Sequence, residues 1–390
     1  MSDGIVIAGG GLAGQRACET LRRLGYAGSI RMVCAEAHFP YDRPPLSKGL
    51  LTGEASSESI RFRPSSWYVE NRVEVLLDVS TTDLCTPERR VELSDGAALR
   101  YDQLLIATGS RPRALPMLSG YENVSELRTV EDSQHLRTHL KVGMRLAVVG
   151  AGFIGMEVAA TARRLGAEVT MIEAAPSPVY GVLGERLGKW FAALHREEGV
   201  EVITNRTVVG LTGERTIRSL RLSDERVIKA DHVVIGVGVQ PNVEWLARSG
   251  LATGGVPVDI HGRTPATAVF AAGDAAATYD YRTDRHVPGS HWEATGRQAA
   301  RAARMMLGFE PGSVELSSFW TDQYGVRIQF LGNTHLADAI TIDGDPERRN
   351  FTALFTRQTK PVAALLVGRP RLLPQMRRLL MQETRDELPA

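Results

Sequence analysis

The chain is poor in cysteine. Cys18, Cys34 and Cys85 are the only three in 390 residues, and they form neither a C-x-x-C pair nor a metal-ligand spacing. Chemistry through a redox disulfide needs a close pair and a bound metal needs clustered ligands, so neither is expected; the three read as small buried hydrophobes. Long apolar runs are missing too. Nothing approaches the roughly 20 apolar residues of a membrane span, and the short run Ile5–Ala8, with no basic region before it, reads as a first strand and not a leader. An excess of one charge is also absent: 46 Lys and Arg against 45 Asp and Glu leave a formal net charge of +1. That balance argues against a wholesale nucleic-acid binder, and any charged partner has to be met by a local patch. The expectation is a cytoplasmic protein with neither nucleic acid nor membrane as a partner. A length of 390 residues leaves room for two or three domains.

Glycine, by contrast, is plentiful and patterned. From Ile5 the sequence runs IVIAGGGLAGQRACETLRRLG, with Gly9, Gly11 and Gly14 in the G-x-G-x-x-G spacing of a dinucleotide seat. The first glycine makes a tight turn, the second lets backbone approach a phosphate, and the third lets the helix pack closely on the strand. The helix N–H groups then face the anion. One such match is weak, because glycine runs also occur in plain turns. Its surroundings strengthen it. GIVIA is strand-like, Ala17, Leu21 and Leu24 recur at helical spacing, and SIRMVCAE supplies a second strand ending at Glu36, whose carboxylate can accept hydrogen bonds from ribose hydroxyls.

The whole unit occurs twice. RLAVV is a strand, Gly150, Gly152 and Gly155 repeat the spacing, MEVAATARRLG continues as a helix, and AEVTMIE is the next strand, ending at Glu173. The following AAPSP offers no arginine to neutralise a ribose 2′-phosphate, which the carboxylate would itself repel, so NADH is expected over NADPH. Two dinucleotide seats in one chain point to electron transfer between two nucleotides, one resident and one exchanging.

Further segments carry a resemblance. YDRPPLSK (Tyr41 to Lys48), ATGSRPR (Ala107 to Arg113), LRTVED (Leu127 to Asp132), GVGVQPN (Gly236 to Asn242), VFAAGD (Val269 to Asp274), HWEATGRQA (His291 to Ala299) and FWTDQYG (Phe319 to Gly325) span nearly the whole chain. With both glycine units they resemble the NADH-dependent ferredoxin reductases of bacterial oxygenase systems, within the glutathione-reductase-like flavoproteins. The resemblance implies tightly bound FAD and exchanging NADH/NAD+. It implies an α/β chain of two Rossmann-like three-layer nucleotide-binding domains plus a small C-terminal α+β domain. The FAD domain is expected at 1–109 and 241–318, the NAD domain at 110–240 and the C-terminal domain at 319–390, with IQFLG, NFTALFTRQ and PVAALLVG as strands and RPRLLPQMRRLLMQE as an amphipathic helix.

The resemblance also implies roles. Lys48 lies in a proline-stiffened segment that runs beside the flavin in similar reductases, where an ammonium stabilises negative charge as the flavin takes a hydride. Glu157, on the first turn of the second helix, is expected to pair with it; the plain alternatives are a solvated lysine and a helix-terminus glutamate favoured by the macrodipole. Cofactor contacts are implied at Ala13, Arg43, Val79, Ala107, Arg128, Gly273, Asp274, Thr295 and Trp320, beside Gly9, Gly11, Gly14, Glu36 and Lys48. For the second seat they are implied at Phe153, Ile154, Gly236, Val237 and Gly238, beside Gly150, Gly152, Gly155 and Glu173. Similar reductases have Asn and Ala after Glu293, whereas this chain has Ala294, Thr295 and Gly296, so flavin contacts there are expected to differ.

The implied acceptor is a ferredoxin of the two-iron two-sulfur type feeding an oxygenase, since flavin bridges two-electron NADH and a one-electron cluster. A basic docking face is sought among Arg61, Arg63, Arg297, Arg301, Arg304, Arg377 and Arg378; Arg297, Arg301 and Arg304 share a helical face. Solvated arginines are the plain alternative. Two other functions fit the same fold: an NADH oxidase or rubredoxin reductase, and an NADH-sensing flavoprotein with a regulatory binding role.

Overall fold

The computed structural model describes residues 3–252, 254–281, 284–288, 292–310, 312 and 316–385. His291, which opens one of the quoted segments, lies outside them. The chain divides into two compact units, one of Met1–Asp42, Ile60–Arg111 and Gln240–Ser318, the other of Arg43–Ser59, Pro112–Val239 and Phe319–Ala390.

The first unit is built on a five-stranded parallel sheet in the order Val269–Ala271, Gln103–Ile106, Ile5–Ala8, Ile30–Cys34, Val73–Leu77. Ile5–Ala8 is central, in register with Ile30 and Gln103 from its first residue. All four of its residues are buried, as expected of a strand covered on both faces. Ile5 and Ile7 pack with Ala17, Cys18 and Leu21 of the helix Leu12–Arg23 and with Ala299, Ala302 and Ala303 of the helix Trp292–Met306. Val6 and Ala8 face a second cluster that includes Leu84, Val91 and Tyr101, under the small antiparallel sheet Thr81–Cys85, Arg90–Leu93, Ala98–Arg100. The second strand stops at Cys34, two residues short of Glu36, because its partner ends there: Cys34 pairs with Leu77, the last residue of Val73–Leu77.

The second unit repeats the plan. Its parallel sheet runs Glu201–Ile203, Glu168–Ile172, Arg145–Val149, His232–Ile235, Val124–Ser125. The strand before Glu173 closes at Ile172, level with Val149 and Ile203, which end their own strands. The C-terminal segment of this unit is a five-stranded antiparallel sheet, Ser318–Gln323, Val326–Gly332, Lys360–Val367, Asn350–Arg357, Ala339–Asp345, followed by the helix Leu373–Arg385. Lys360–Val367 is central, and its last five residues are buried, which suits the continuous apolar run AALLV. No described helix is long and apolar enough to cross a membrane.

Candidate active site

Both glycine turns are shaped by collisions that only glycine avoids. A Cβ on Gly9 would drive into the Ala107 carbonyl, and one on Gly14 into the Gly9 carbonyl. The middle residue is different: around Gly11 a Cβ would meet nothing within 4 Å. So the protein itself demands glycine at the first and third positions, while the second borders open space ahead of the helix Leu12–Arg23, where N–H groups await an acceptor. The second turn matches it. Gly150 and Gly155 would clash with the carbonyls of Gly236 and Gly150, whereas the nearest atom to a Cβ on Gly152 is the Gly236 oxygen at 3.9 Å. A diphosphate fits both cradles, and the residues present suit a dinucleotide at each.

Around the first turn, Glu36 accepts a hydrogen bond from the Tyr41 hydroxyl. Asp274 lies in a short 3-10 turn, Gly273–Ala275, not in the strand, which closes at Ala271. Its carboxylate accepts from Ser110 Oγ at 2.6 Å. Gly273 stands against the side chains of Ala13 and Thr295, and its N–H donates to Gln298 at 2.8 Å. Val79 bonds by its backbone N–H to the Cys34 carbonyl at 3.0 Å. In the second turn Glu173 accepts from the N–H groups of Ala151 at 2.7 Å and Ala175 at 2.8 Å, so its carboxylate is fixed at the head of the glycine turn.

The segment bearing Lys48 belongs to the second unit, and it is anchored from three sides. Arg43 donates to the Arg128 carbonyl. Ser133 Oγ, on the helix Val130–His139, donates to the Leu46 carbonyl at 2.7 Å, and Thr161 Oγ1, on the helix Phe153–Arg164, donates to the Ser47 carbonyl at 2.6 Å. Lys48 Nζ then meets Glu157 Oε1 at 2.7 Å. Glu157 opens the second turn of its helix and not the first, because the helix starts at Phe153 behind an N-cap at Gly152. It is no terminal glutamate on a solvated helix end, being only 5% exposed.

A carboxylate that deep is costly unless it is paired and bonded. Glu157 has three donors: Lys48 Nζ, Ser47 Oγ at 2.5 Å, and Thr321 Oγ1 at 2.6 Å from the strand Ser318–Gln323. Ser47 and Thr321 are buried, while the Lys48 side chain keeps 24% of its surface. The cluster therefore holds an ammonium at a fixed place with one face free, which is the arrangement needed to meet charge that develops on a bound molecule. Sequence reading found Lys48 and Glu157 but missed Ser47, Thr161 and Thr321. Thr161 was within reach, since it stands four residues after Glu157 on the same helical face.

Two of the three thiols are shut away. Cys18 and Cys34 are buried, and burial pushes the Cys18 thiol up and that of Cys34 up to about 12, away from the reactive thiolate. Among the described residues no cluster of His, Cys, Asp or Glu could hold a metal ion. The arginines sought for a docking face are partly engaged already. Arg63 pairs with Glu19 at 2.7 Å, Arg297 pairs with Glu293, Arg301 Nε donates to the Ile260 carbonyl at 3.2 Å, and Arg304 Nε donates to the Glu310 carbonyl at 2.5 Å. Trp320 is half-buried, with the Arg327 guanidinium 5.9 Å from its ring centre.

Known proteins carry the same pattern. Residues 3–305 match the pyridine nucleotide-disulphide oxidoreductase family and residues 318–389 the reductase C-terminal family. The chain is 33% identical to putidaredoxin reductase of Pseudomonas putida, over 100% of this chain and 93% of that protein. It is 38% identical to the ferredoxin–NAD(+) reductase subunit of the benzene 1,2-dioxygenase system of Pseudomonas putida, over 85% and 81%. Among solved structures, the reductase in a covalent putidaredoxin reductase–putidaredoxin complex superposes with a TM-score of 0.94 at 32% identity, over 97% of this chain and 93% of that one. The chain is thus an oxidoreductase that belongs to the pyridine nucleotide-disulphide oxidoreductase family and carries the reductase C-terminal domain.

Proposed function

We propose that the protein is an FAD-dependent NADH:ferredoxin reductase of the cytoplasm, passing electrons one at a time to a two-iron two-sulfur ferredoxin that feeds an oxygenase. The observation that carries this reading is the Lys48–Glu157 pair built on the helix of the second glycine turn. The similarity to putidaredoxin reductase and to the benzene dioxygenase reductase supports it.

In this reading Gly9, Gly11 and Gly14 seat the FAD diphosphate. Glu36 takes the adenosine ribose, Asp274 the ribityl chain, and Ala13, Arg43, Val79, Ala107, Arg128, Gly273, Thr295 and Trp320 complete the enclosure. Gly150, Gly152 and Gly155, with Phe153, Ile154 and Gly236 to Gly238, seat NADH, and Glu173 selects it against NADPH. FAD, when bound, accepts two electrons as a hydride and returns them singly. Glu157 keeps the Lys48 ammonium in one position, and that ammonium offsets negative charge as hydride arrives. The acceptor docks on a basic face that includes Arg301 and Arg304.

Stopped-flow mixing with NADH tests the first half of the cycle. The wild-type flavin should bleach quickly, and Lys48→Ala or Glu157→Ala should slow bleaching about 10- to 100-fold while flavin content stays near normal. Wild-type rates in both variants would remove the pair from the reaction. For the second half, cytochrome c reduction should require added ferredoxin, and Arg304→Glu should lower it without changing NADH–ferricyanide activity. Equal loss of both activities would sink the docking face.

A further inference from the structure

Behind Glu157 a line of hydrogen bonds runs inward through the second unit. Thr321 Oγ1 meets Glu157 Oε1 at 2.6 Å, Gln323 Nε2 meets Thr321 Oγ1 at 3.1 Å, His195 Nε2 meets Gln323 Oε1 at 3.0 Å, and Tyr324 Oη meets His195 Nδ1 at 2.8 Å. Thr321 and Gln323 are 1% exposed and His195 is fully buried, so the bonds of this line are made within the protein. An ionised carboxylate only accepts. Thr321 must therefore give its proton to Glu157 and accept at the same oxygen. Gln323 must then present its NH2 to Thr321 and its carbonyl to His195. That carbonyl requires a hydrogen on Nε2, which leaves Nδ1 bare to accept from Tyr324. The charge on Glu157 thus dictates every donor in the line, down to the tautomer of a histidine three hydrogen bonds away.

The terminal tyrosine sits where its type is disfavoured. Tyr324 and Gly325 form the two-residue turn between Ser318–Gln323 and Val326–Gly332, and both have positive φ, 52° and 74°. Such turns favour Asn or Gly at the first position, and a bulky side chain there costs roughly 1 kcal/mol. The hydroxyl contact with His195 gives that placement a purpose.

We propose that Thr321, Gln323, His195 and Tyr324 form a one-directional donor chain that fixes the Glu157 carboxylate, and through it the Lys48 ammonium, for hydride transfer. They are positioning residues, and the proposal rests on the reading that Lys48 and Glu157 serve flavin reduction. The chain orients and does not conduct. An amide stands in its middle, and Gln323 cannot pass a proton on without becoming an imidic acid. Aligned donors polarise one another, so the hydrogen bond that reaches Glu157 is stronger than an isolated threonine would make.

The test is Thr321→Val, which keeps shape and removes the link, beside Thr321→Ser, which restores it. Two readouts are taken on flavin-loaded protein. By 15N NMR, His195 should show a single neutral tautomer protonated at Nε2 in the wild type and in Thr321→Ser, and a mixture in Thr321→Val. In stopped flow at saturating NADH, Thr321→Val should reduce its flavin roughly 5- to 20-fold more slowly, with the Kd for NADH unchanged and Thr321→Ser within about twofold of wild type. Tyr324→Phe, at the far end, should slow reduction by only about twofold. A wild-type rate in Thr321→Val, or an Nδ1-protonated His195 in the wild type, overturns the proposal. If Thr321→Val loses its fold, Gln323→Leu replaces it under the same criteria. The parent reading fails separately, when Lys48→Ala and Glu157→Ala reduce at the wild-type rate.

Discussion

The two glycine turns correspond position for position in sequence, and the difference between them lies further along the helix. Gly9, Gly11 and Gly14 correspond to Gly150, Gly152 and Gly155, with the same two collisions and the same open middle position. Continue along the helix and Arg16 stands where Glu157 stands. Arg16 is a surface cation, with a side chain 35% exposed and paired to Glu19 at 2.7 Å. Glu157 is a buried anion with three donors. A common seat thus carries a partly exposed cation in one unit and a buried, hydrogen-bonded carboxylate in the other. The fingerprint is shared, and the proposed catalytic pair rests on the fifth residue past its middle glycine, where the two units differ.

Substitution of the glycines gives the largest expected effect. Gly9→Ala and Gly150→Ala place a Cβ on a carbonyl oxygen at φ of 125° and 103°, and each should cost several kcal/mol, about 3 or more, read as a fall in the denaturant midpoint. Gly11→Ala and Gly152→Ala should stay within about 1 kcal/mol of wild type, since the added methyl meets no protein atom in contact. Their effects should instead separate by ligand. Gly11→Ala should purify with little flavin, whereas Gly152→Ala should keep its flavin and bind NADH weakly. Full flavin in Gly11→Ala would break the assignment of the first seat.

Acid should distinguish the units next. The histidines buried most completely among the described residues, His195 and His232, both belong to the second unit. Burial lowers each to about 4, helped at His232 by the neighbouring His139 and His135. The unfolded chain takes up these protons near pH 6.5 and the folded one only near 4, so between those values unfolding binds protons and stability falls as pH falls. Each histidine contributes about 3 kcal/mol to that loss. Hydrogen exchange from pH 7 to 4.5 should show the second unit opening first. Simultaneous loss of protection in the first unit's central strand, Ile5–Ala8, would contradict this.

How much of this was legible in the sequence follows from where partners lie along the chain. Both seats were readable, since a strand, a turn and a helix are contiguous and each glycine has a local steric reason. Lys48 and Glu157 were found only through a resemblance, for they are far apart in the chain. Ser47 and Thr321 escaped altogether. Serine and threonine occur everywhere, and only tertiary structure selects the two that face a buried carboxylate. The arginines show a different limit: the spacing of Arg297, Arg301 and Arg304 marks a shared helical face, yet cannot reveal that the Ile260 carbonyl accepts from Arg301.

The smallest predicted effect sharpens the comparison most. Arg16→Ala removes the residue that aligns with Glu157. Its partner Glu19 keeps Arg63 at 2.7 Å and Gln15 at 3.2 Å, and burial acting alone would raise the Glu19 carboxyl, whereas these bonds with that of Arg16 hold it below its ordinary value. Two of the three side-chain partners of Glu19 remain, so the loss should be only roughly 0.2–1 kcal/mol and the thermal midpoint should move little. Flavin reduction by NADH should not move at all. A slowing that matched Glu157→Ala would mean that this helical position matters through the seat itself in both units, and the asymmetry between a gripping turn and a reacting turn would have to be given up.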